Sequence, residues 1–378
     1  MVQVKRAFRI RLQVLAAAAG SLTLLGAVLA FAYTTFQNDV DGVPIPSRWP
    51  NASFTWVLDN PGTPPTNVDT TDGTNPLPLK TALINSFNSW TTASLNGQPL
   101  TNLSITNGND VKNLPNPQID CVNVVSFNDN NPADFPTGTA AIAFTTVSTD
   151  YLRVGAPGTP GTTYTFTECN GLETITTTSP SIVYDADIVF NPHAQFSTST
   201  PPLSNDFDLQ SVAAHETGHA LGLDNSGVAH AVMFPFGDTG ESQQRTPSTD
   251  DLIAISFLYP SSNFAGYLGT ISGQVAFPNI GGVFAAHVVA IDANTGNVVL
   301  DGLTNSEGSY KLFVPPGSYN VLVLPLAPDD NHGIYSLSDF SGWTCGYDES
   351  APPCCDTGAS QCLGAPITNP TNYTGKFF

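Results

Sequence analysis

Apolar residues recur at helical spacing in two stretches of the chain. Residues three or four positions apart share one face of a helix, so the first stretch predicts an amphipathic helix. Its apolar positions are Leu79, Leu83, Phe87 and Trp90. The second stretch runs from 248 to 259 and opens with Ser248 and Asp251 at the spacing of a capping box. The pattern therefore predicts a second helix that begins at this pair.

From Gly269 the pattern changes to short runs in which apolar and polar residues alternate. Such alternation predicts β-strands, and Asn294-Thr295-Gly296 is typical of the turn between two of them. The predicted strand segments are 269–275, 286–292, 296–300, 304–312 and 314–323. We therefore expect an all-β domain over 262–328. The periodicity is lost in the tail, 329–378, which is rich in Gly, Pro and Ser.

The N-terminal segment has the composition of a secretory signal peptide. Lys5, Arg6, Arg9 and Arg11 precede an apolar run that ends in the A-x-A cleavage site Ala30-Phe31-Ala32. The alternative is an uncleaved anchor, since about 20 apolar residues are enough to span a bilayer. We expect residues 1–32 to be removed, 33–47 to be a linker, and the protein to be secreted. Anchoring to the cell envelope is the other localisation that this segment allows.

Charge and cysteine content support an exported protein. The formal net charge is −20, and it becomes −24 when residues 1–32 leave with four of the 11 basic residues and none of the 31 acidic ones. This charge argues against binding to nucleic acid or anionic lipid. Six cysteines in an exported chain indicate disulfides. The simplest pairing joins Cys121 to Cys169 and leaves the tail cysteines to one another; these are Cys345, Cys354, Cys355 and Cys362.

The segment 215–225 carries the candidate chemistry. His215 and His219 are four residues apart, so on a helix they can present two imidazoles to one metal ion. Glu216 leaves the same turn and could take a proton from a metal-bound water. Gly222 permits the sharp turn after which the chain can return with a third ligand. This is the zinc-peptidase pattern HExxHxxGxxH, with Asn225 in place of the third histidine.

The identity of a third metal ligand stays open. An Asn offers one neutral carbonyl oxygen, which is a poorer zinc donor than imidazole. The candidates are Asn225 itself, Asp224 one residue earlier, and His230 in the following loop. His193 is expected on the surface in the turn that follows Asn191, while His287 and His332 lie beyond the catalytic segment.

The surroundings of this motif resemble the matrixin branch of the metzincins, the secreted family that includes the matrix metalloproteinases. Met233, the only methionine besides Met1, lies eight residues after Asn225, where that family has its Met-turn. Further matches run in the family's order across 48–261. They include Arg48-Trp49-Pro50, a strand at 54–59, and the segment 185–191, which resembles the strand bordering the substrate cleft.

The resemblance implies an α+β catalytic domain over 48–261, with a twisted, mainly parallel sheet and about three helices. It implies a zinc endopeptidase in which Glu216 is the general base and the metal ligands are His215, His219 and the residue at the position of Asn225. Phe234, Pro235 and Phe236 lie where that family shapes the pocket for the residue after the cleaved bond. We also expect a structural Ca²⁺ near Asp185, Asp187 or the loops around Asp150.

The strand-rich segment 262–328 resembles the carboxypeptidase-regulatory-like β-sandwich, a transthyretin-type module. The resemblance implies a spacer or interaction module without catalytic residues. The partners expected for the whole chain are protein or peptide substrates, with membrane association only if the N-terminal segment is uncleaved. We expect a monomer.

Two other hypotheses come from different functional classes. In one, the protein is a catalytically inactive metzincin relative that acts as an extracellular binding or surface module. In the other, it is an envelope-associated structural protein held by an uncleaved N-terminal helix. Retention of Glu216 favours the peptidase, whereas Asn225 in the third ligand position favours the inactive relative.

Overall fold

The computed structural model describes most of the chain between Thr34 and Leu324. The described residues are 34–40, 43–60, 62, 65–92, 94–112, 117–128, 135, 138–156, 159–277, 281–305, 307–324 and 376–377. The expected signal peptide, the four tail cysteines and His332 lie outside these residues. None of the helices in the described ranges is long and apolar enough to cross a membrane.

Four helices lie within the described ranges, and two of them were predicted from apolar spacing. They are α1 (Leu79–Thr92), α2 (Leu209–Ala220), α3 (Thr249–Leu258) and α4 (Phe264–Tyr267). In α1 the residues Leu83, Phe87 and Trp90 are buried, which confirms the predicted stripe. At the start of α3 the predicted capping box forms, because Ser248 and Asp251 each accept the other's backbone N–H.

Thirteen strands precede α2 in the described part of the chain. They are β1 (Gln37–Val40), β2 (Val43–Pro46), β3 (Ser53–Leu58), β4 (Val68–Asp69), β5 (Ser104–Asn107), β6 (Asn123–Ser126), β7 (Ala141–Ser148), β8 (Tyr151–Val154), β9 (Thr163–Glu168), β10 (Glu173–Thr177), β11 (Ile182–Phe190), β12 (Phe196–Ser197) and β13 (Phe207–Asp208). The hairpin of β1 and β2 occupies residues 37–46, where the sequence predicted only a linker.

The central sheet has five strands in the order β5-β3-β6-β11-β7. Strand β3 is parallel to β5 and β6, and β6 is parallel to β11, whereas β7 is antiparallel to β11. This agrees with the expected mainly parallel sheet. The prediction that segment 185–191 borders the substrate cleft is wrong, because β11 is paired on both sides and has no free edge for a peptide. The antiparallel strand β7 lies at the edge of the described sheet instead.

Helices α1 and α2 pack together beside the sheet through apolar contacts and two directed hydrogen bonds. The rings of Trp56 on β3 and Phe87 on α1 stack with centroids 4.3 Å apart. Trp90 Nε1 donates to Ala214 O at 3.0 Å, and Ser86 Oγ donates to Gln210 O at 3.0 Å. Such bonds satisfy buried polar groups of α1 and fix where α2 lies relative to it.

A buried pair of carboxylates holds the loop before β6. Asp185 accepts the N–H of Cys121 at 2.7 Å, and Asp187 accepts the N–H groups of Val124 and Gln118 at 2.7 and 3.0 Å. The predicted disulfide between Cys121 and Cys169 is confirmed, with a Cα–Cα distance of 5.9 Å. Because backbone amides occupy these carboxylates, the Ca²⁺ expected near Asp185 and Asp187 is not supported. The described residues also contain no group of three or more His, Cys, Asp or Glu side chains that could hold a metal ion.

The C-terminal β region, residues 269–324, consists of strands that continue the hydrophobic core of the preceding part. The strands after α4 are β14 (Gly269–Gln274), β15 (Ala276–Phe277), β16 (Gly281–Gly282), β17 (His287–Asp292), β18 (Val298–Leu303), β19 (Ser309–Val314), β20 (Tyr319–Leu324) and β21 (Lys376–Phe377). They form a four-stranded sheet, β18-β17-β20-β21, and two two-stranded sheets, β14-β19 and β15-β16. Val288 and Leu300 belong to the same buried cluster as Ile253 and Leu258 of α3. Assignment of this region to a transthyretin-type module with bounds 262–328 stays a prediction.

The buried carboxylates beneath the Cys121 loop predict a pH-dependent stability difference. Burial, followed by the charge of Asp187, raises the pKa of Asp185 to about 7, and burial raises the pKa of Asp187 to about 6. A carboxyl group whose pKa is higher in the folded than in the unfolded state favours folding while it is protonated. This contribution to the free energy of unfolding is lost as the pH rises toward and through the folded-state pKa. Asp185→Asn should therefore gain stability relative to wild type between pH 5 and pH 8, by about 5 °C in Tm.

The measurement is thermal unfolding of both proteins across this pH range. Asp238→Asn, which changes an exposed carboxylate, is the control and should show a Tm difference that is independent of pH. A Tm difference for Asp185→Asn that does not change between pH 5 and pH 8 would contradict the prediction.

Candidate metal centre

Helix α2 carries the histidine pair and is buried on almost every side. Its N-cap is Asp208, whose side chain accepts hydrogen bonds from Ser211 N at 2.8 Å and from Arg245 Nε at 2.8 Å. At the other end, Trp49 Nε1 donates to Ala220 O at 2.8 Å. The cap and the tryptophan hold both ends of the helix.

His215 and His219 present their Nε2 atoms to each other. The Nδ1 atom of His215 donates to Val232 O at 2.8 Å, and that of His219 donates to Leu223 O at 2.9 Å. A carbonyl oxygen can only accept, so each Nδ1 carries a proton, and a neutral ring in this tautomer has its lone pair on Nε2. The two Nε2 atoms are 3.1 Å apart. Burial, and then the neighbouring His219, lower the pKa of His215 to about 3, which keeps its ring in the neutral form that binds metals.

Glu216 is a buried carboxylate on the same helical turn. Its side chain is 1% exposed, and burial raises its pKa to about 8 although the backbone N–H of Ala143 on β7 donates to it. Within the described structure, its Oε2 atom has no hydrogen-bond partner. Buried polar atoms are rarely left in this state, so Oε2 indicates a missing partner such as a water or an ion. Two imidazole nitrogens and a carboxylate on one helical turn suit Zn²⁺.

The chain turns sharply after α2 and meets the N-terminal segment. Gly222 has φ 98°, and a Cβ on it would lie 2.6 Å from Ser47 O, so the turn requires glycine. Phe36 N donates to Gly222 O at 2.8 Å, and the Phe36 ring stacks on His219 with centroids 6.0 Å apart. The segment expected to be a linker therefore forms one wall beside the histidine pair.

The same N-terminal segment contacts the candidate third ligands. Asp224 N donates to Thr34 O at 2.9 Å, and the Thr34 hydroxyl donates to Asn225 O. The Asp224 carboxylate accepts Asn225 N at 2.9 Å, whereas His230 is exposed in a turn with φ 67°. In the described part of the chain, no third His, Cys, Asp or Glu side chain joins His215 and His219 in a group that could hold a metal. His193 is exposed in its turn, as predicted.

Met233 lies directly against helix α2 at Gly218, which is between the two histidines in sequence. A Cβ on Gly218 would come within 2.1 Å of Met233 Sδ and 3.0 Å of Trp90 Cζ2. Met233 is only 2% exposed, so its sulfur occupies the space that a side chain at 218 would need. The sequence reasoning overlooked Gly218, although a glycine inside a helix is a usable signal of close packing.

Asp251 joins helix α3 to the loop that carries Met233. Besides capping α3, its carboxylate accepts Val232 N at 2.7 Å and Met233 N at 3.0 Å. Val232 is also the residue whose carbonyl receives His215 Nδ1. The capping box was predicted from the sequence. The bonds from Asp251 to the Met233 loop were not, because they join residues 18 and 19 positions apart, which a local pattern does not indicate.

The contact between Gly218 and Met233 predicts that Gly218→Ala destabilises the protein. The added methyl group must displace a buried sulfur, and overpacking of this kind costs about 1–3 kcal/mol. Denaturant unfolding measures the loss. Gly266→Ala is the matched control, since Gly266 is exposed in helix α4 and a Cβ there meets nothing within 4 Å. Equal stability of Gly218→Ala and wild type would contradict the proposed packing.

Comparison with known proteins agrees with this geometry. Residues 159–260 match the family model described as Matrixin. Metalloendoproteinase 2-MMP of Arabidopsis thaliana is 34% identical over 109 residues, which are 29% of this chain and 28% of that protein. Metalloendoproteinase 5-MMP of the same plant is 43% identical over 58 residues, 15% of this chain and 16% of the relative. Karilysin of Tannerella forsythia is 44% identical over 66 residues, 18% of this chain and 12% of the relative.

The matched segments span less than a third of each relative and of this chain. The segment that matches the family model, residues 159–260, includes the helix with the histidine pair, the Met233 loop and helix α3. Together these similarities support a matrixin-type catalytic domain in this part of the chain.

Proposed function

We propose that the protein is a secreted zinc endopeptidase in which His215 and His219 bind the metal and Glu216 is the general base. The observation that carries this proposal is the pair of imidazoles with Nε2 atoms 3.1 Å apart. Both Nδ1 atoms donate to carbonyl oxygens, which leaves the Nε2 atoms for a cation. Glu216, on the same helical turn, has a buried Oε2 atom without a hydrogen-bond partner in the described structure.

In the proposed reaction His215 and His219 hold the metal and Glu216 transfers the proton. Zn²⁺, when bound, supplies a Lewis acid that lowers the pKa of a water and polarises a carbonyl. Glu216 would take the proton of the attacking water on its carboxylate and would pass it to the leaving amine. Burial raises the pKa of Glu216, so its carboxylate holds a proton more readily than that of an exposed glutamate.

Asn225 is proposed as the third protein ligand, through its side-chain oxygen. Its backbone is held by Thr34 and by the Asp224 carboxylate, so the loop after Gly222 is fixed. Asp224 is the second candidate, because its charge acts on His215. His230 is the weakest of the three, since it is exposed. A neutral amide oxygen binds zinc less well than imidazole does, so we expect weaker zinc affinity than a third histidine would give.

The substrate is proposed to lie extended along the edge strand β7. Thr145 Oγ1 on this strand donates to His219 O at 3.0 Å, and Ala143 N donates to Glu216, so β7 passes beside the metal residues. An unpaired strand edge binds a peptide through main-chain hydrogen bonds. After the Met233 loop, the rings of Phe234 and Phe236 lie 5.6 Å apart. They favour an apolar residue on the carboxyl side of the cleaved bond.

The alternative is a catalytically inactive relative that acts as an extracellular binding module. The observation that favours it is Asn225 in the third ligand position, together with the lack of another ionisable ligand among the described residues. Under either proposal the partners are proteins or peptides.

Replacement of Glu216 tests the peptidase proposal. Zinc-loaded wild type should cleave a peptide library, and a chelator should abolish the cleavage. Glu216→Ala should lower the rate by about 10²–10⁴-fold, the usual contribution of a general base. Glu173→Ala, which removes an exposed glutamate on β10, should cleave like wild type. No cleavage by folded, zinc-loaded wild type would contradict the proposal.

Substitutions at the third ligand position test the ligand set. Asn225→His should bind zinc at least about tenfold more tightly than wild type, because imidazole is the better donor. His230→Ala should leave the affinity unchanged. Competition with a chromophoric chelator measures both dissociation constants. Unchanged affinity in Asn225→His, with loss of zinc in Asp224→Ala, would assign the third position to Asp224 instead. Cleavage that appears only in Asn225→His would favour the inactive relative.

A further inference from the structure

Two side chains of the C-terminal β region lie against the loop that follows Asn225. Asp301 on β18 and His287 on β17 pair at 2.6 Å between Asp301 Oδ2 and His287 Nε2. Both face Gly227, two residues after Asn225. A Cβ on Gly227 would come within 2.2 Å of Asp301 Oδ2 and 3.1 Å of His287 Nε2. The backbone of this loop thus touches the acid–histidine pair with no room for a side chain.

One buried carboxylate joins the loop, helix α3 and the C-terminal β region. Asp250 on α3 is 3% exposed. Its Oδ2 accepts the Ser226 hydroxyl at 2.7 Å, and its Oδ1 accepts the backbone N–H of Asp301 at 3.1 Å. Asp250 therefore connects the residue after Asn225 directly to strand β18.

Ser226 in turn closes the loop on which Met233 lies. Ser226 N donates to Met233 O at 2.8 Å, and Ser226 Oγ accepts Val228 N at 3.0 Å. A displacement of Ser226 would therefore move Asn225. It would also move the loop that carries Val232, whose carbonyl oxygen orients His215. The contacts of the C-terminal β region reach the metal residues through this single serine and the adjacent Gly227.

The C-terminal β region does not need this polar cluster to stay packed against helices α3 and α4. Apolar contacts already join them, since the Phe313 ring packs against Phe257 and Phe264 with centroids 6.2 and 5.4 Å apart. Burying carboxylates is costly in comparison, because desolvation disfavours their charged form. Burial, followed by the charge of Asp301, raises the pKa of Asp250 well above its usual value. A costly buried cluster that ends on a functional loop indicates a positioning role.

We propose that the C-terminal β region is a working part of the metal centre, in which Asp301 and His287 position the loop that carries Asn225. They act through Gly227, and Asp250 acts through Ser226; none of these residues binds the metal itself. This inference rests on the proposed zinc function. It assigns His287 a role that its place in the sequence, outside the catalytic segment, did not indicate.

The test compares three full-length variants with wild type: Gly227→Ala, Asp301→Ala and His287→Ala. Zinc dissociation constants from chelator competition should rise about tenfold or more, since partners that support metal ligands typically contribute 10–100-fold. Gly227→Ala should cost no further affinity in the Asp301→Ala background, because the carboxylate that its methyl group meets is then absent. Additive losses in that double variant would contradict the contact.

Phe313→Leu is the matched control, because it weakens the same interface away from the loop. It should lower Tm without changing zinc affinity. If the three variants lower Tm but bind zinc within twofold of wild type, the C-terminal β region is only a structural neighbour and the inference is wrong.

Hydrogen exchange on the metal-free proteins separates this inference from the proposed function. The amides of Ser226, Val232 and Met233 should exchange faster in the three variants than in wild type and in Phe313→Leu. A wild-type protein that binds no zinc would overturn the proposed function. The exchange rates would still decide the positioning role, since unchanged protection of these amides in all variants would overturn the inference alone.

Discussion

The candidate site depends on two carbonyl oxygens that fix the histidine tautomers. Val232 O and Leu223 O accept the protons on Nδ1, so both Nε2 lone pairs are available at a separation of 3.1 Å. Each carbonyl has its own support. Leu223 follows the positive-φ turn at Gly222, and the N–H of Val232 is held by Asp251. The geometry of the histidine pair thus depends on the loops around α2 as much as on the helix itself.

Distant parts of the chain converge on these loops. The N-terminal segment contacts them through Thr34 and Phe36, helix α3 through Asp251, and the C-terminal β region through Asp301. Buried hydrogen bonds of this kind contribute modestly to stability but strongly limit the arrangements that a loop can take. Under the proposed zinc function such rigidity is important, because without a third histidine the remaining ligands hold the metal with less intrinsic affinity.

Local features of the fold could be predicted from the sequence because their determinants lie within a few residues. The α1 stripe and the α3 capping box are of this kind. The Cys121–Cys169 pairing spans 48 residues and was predicted instead from the position of the other four cysteines in the tail. The order of the sheet is not local, and the resemblance of segment 185–191 to the strand that borders the cleft was misleading, because a local match of residues does not show which strand lies at the edge of the sheet. Nor does an Asp-x-Asp motif show that backbone amides occupy its carboxylates, which is why calcium was expected there.

X-ray absorption at the zinc edge, on stoichiometrically loaded protein, shows directly whether the histidine pair holds the metal. We expect two imidazole nitrogens at about 2.0–2.1 Å, with the remaining ligands oxygen. We also expect this spectrum to be lost in His215→Ala and in His219→Ala. Zinc coordinated without imidazole, or a spectrum unchanged by both substitutions, would contradict the assignment of the histidine pair as the metal centre.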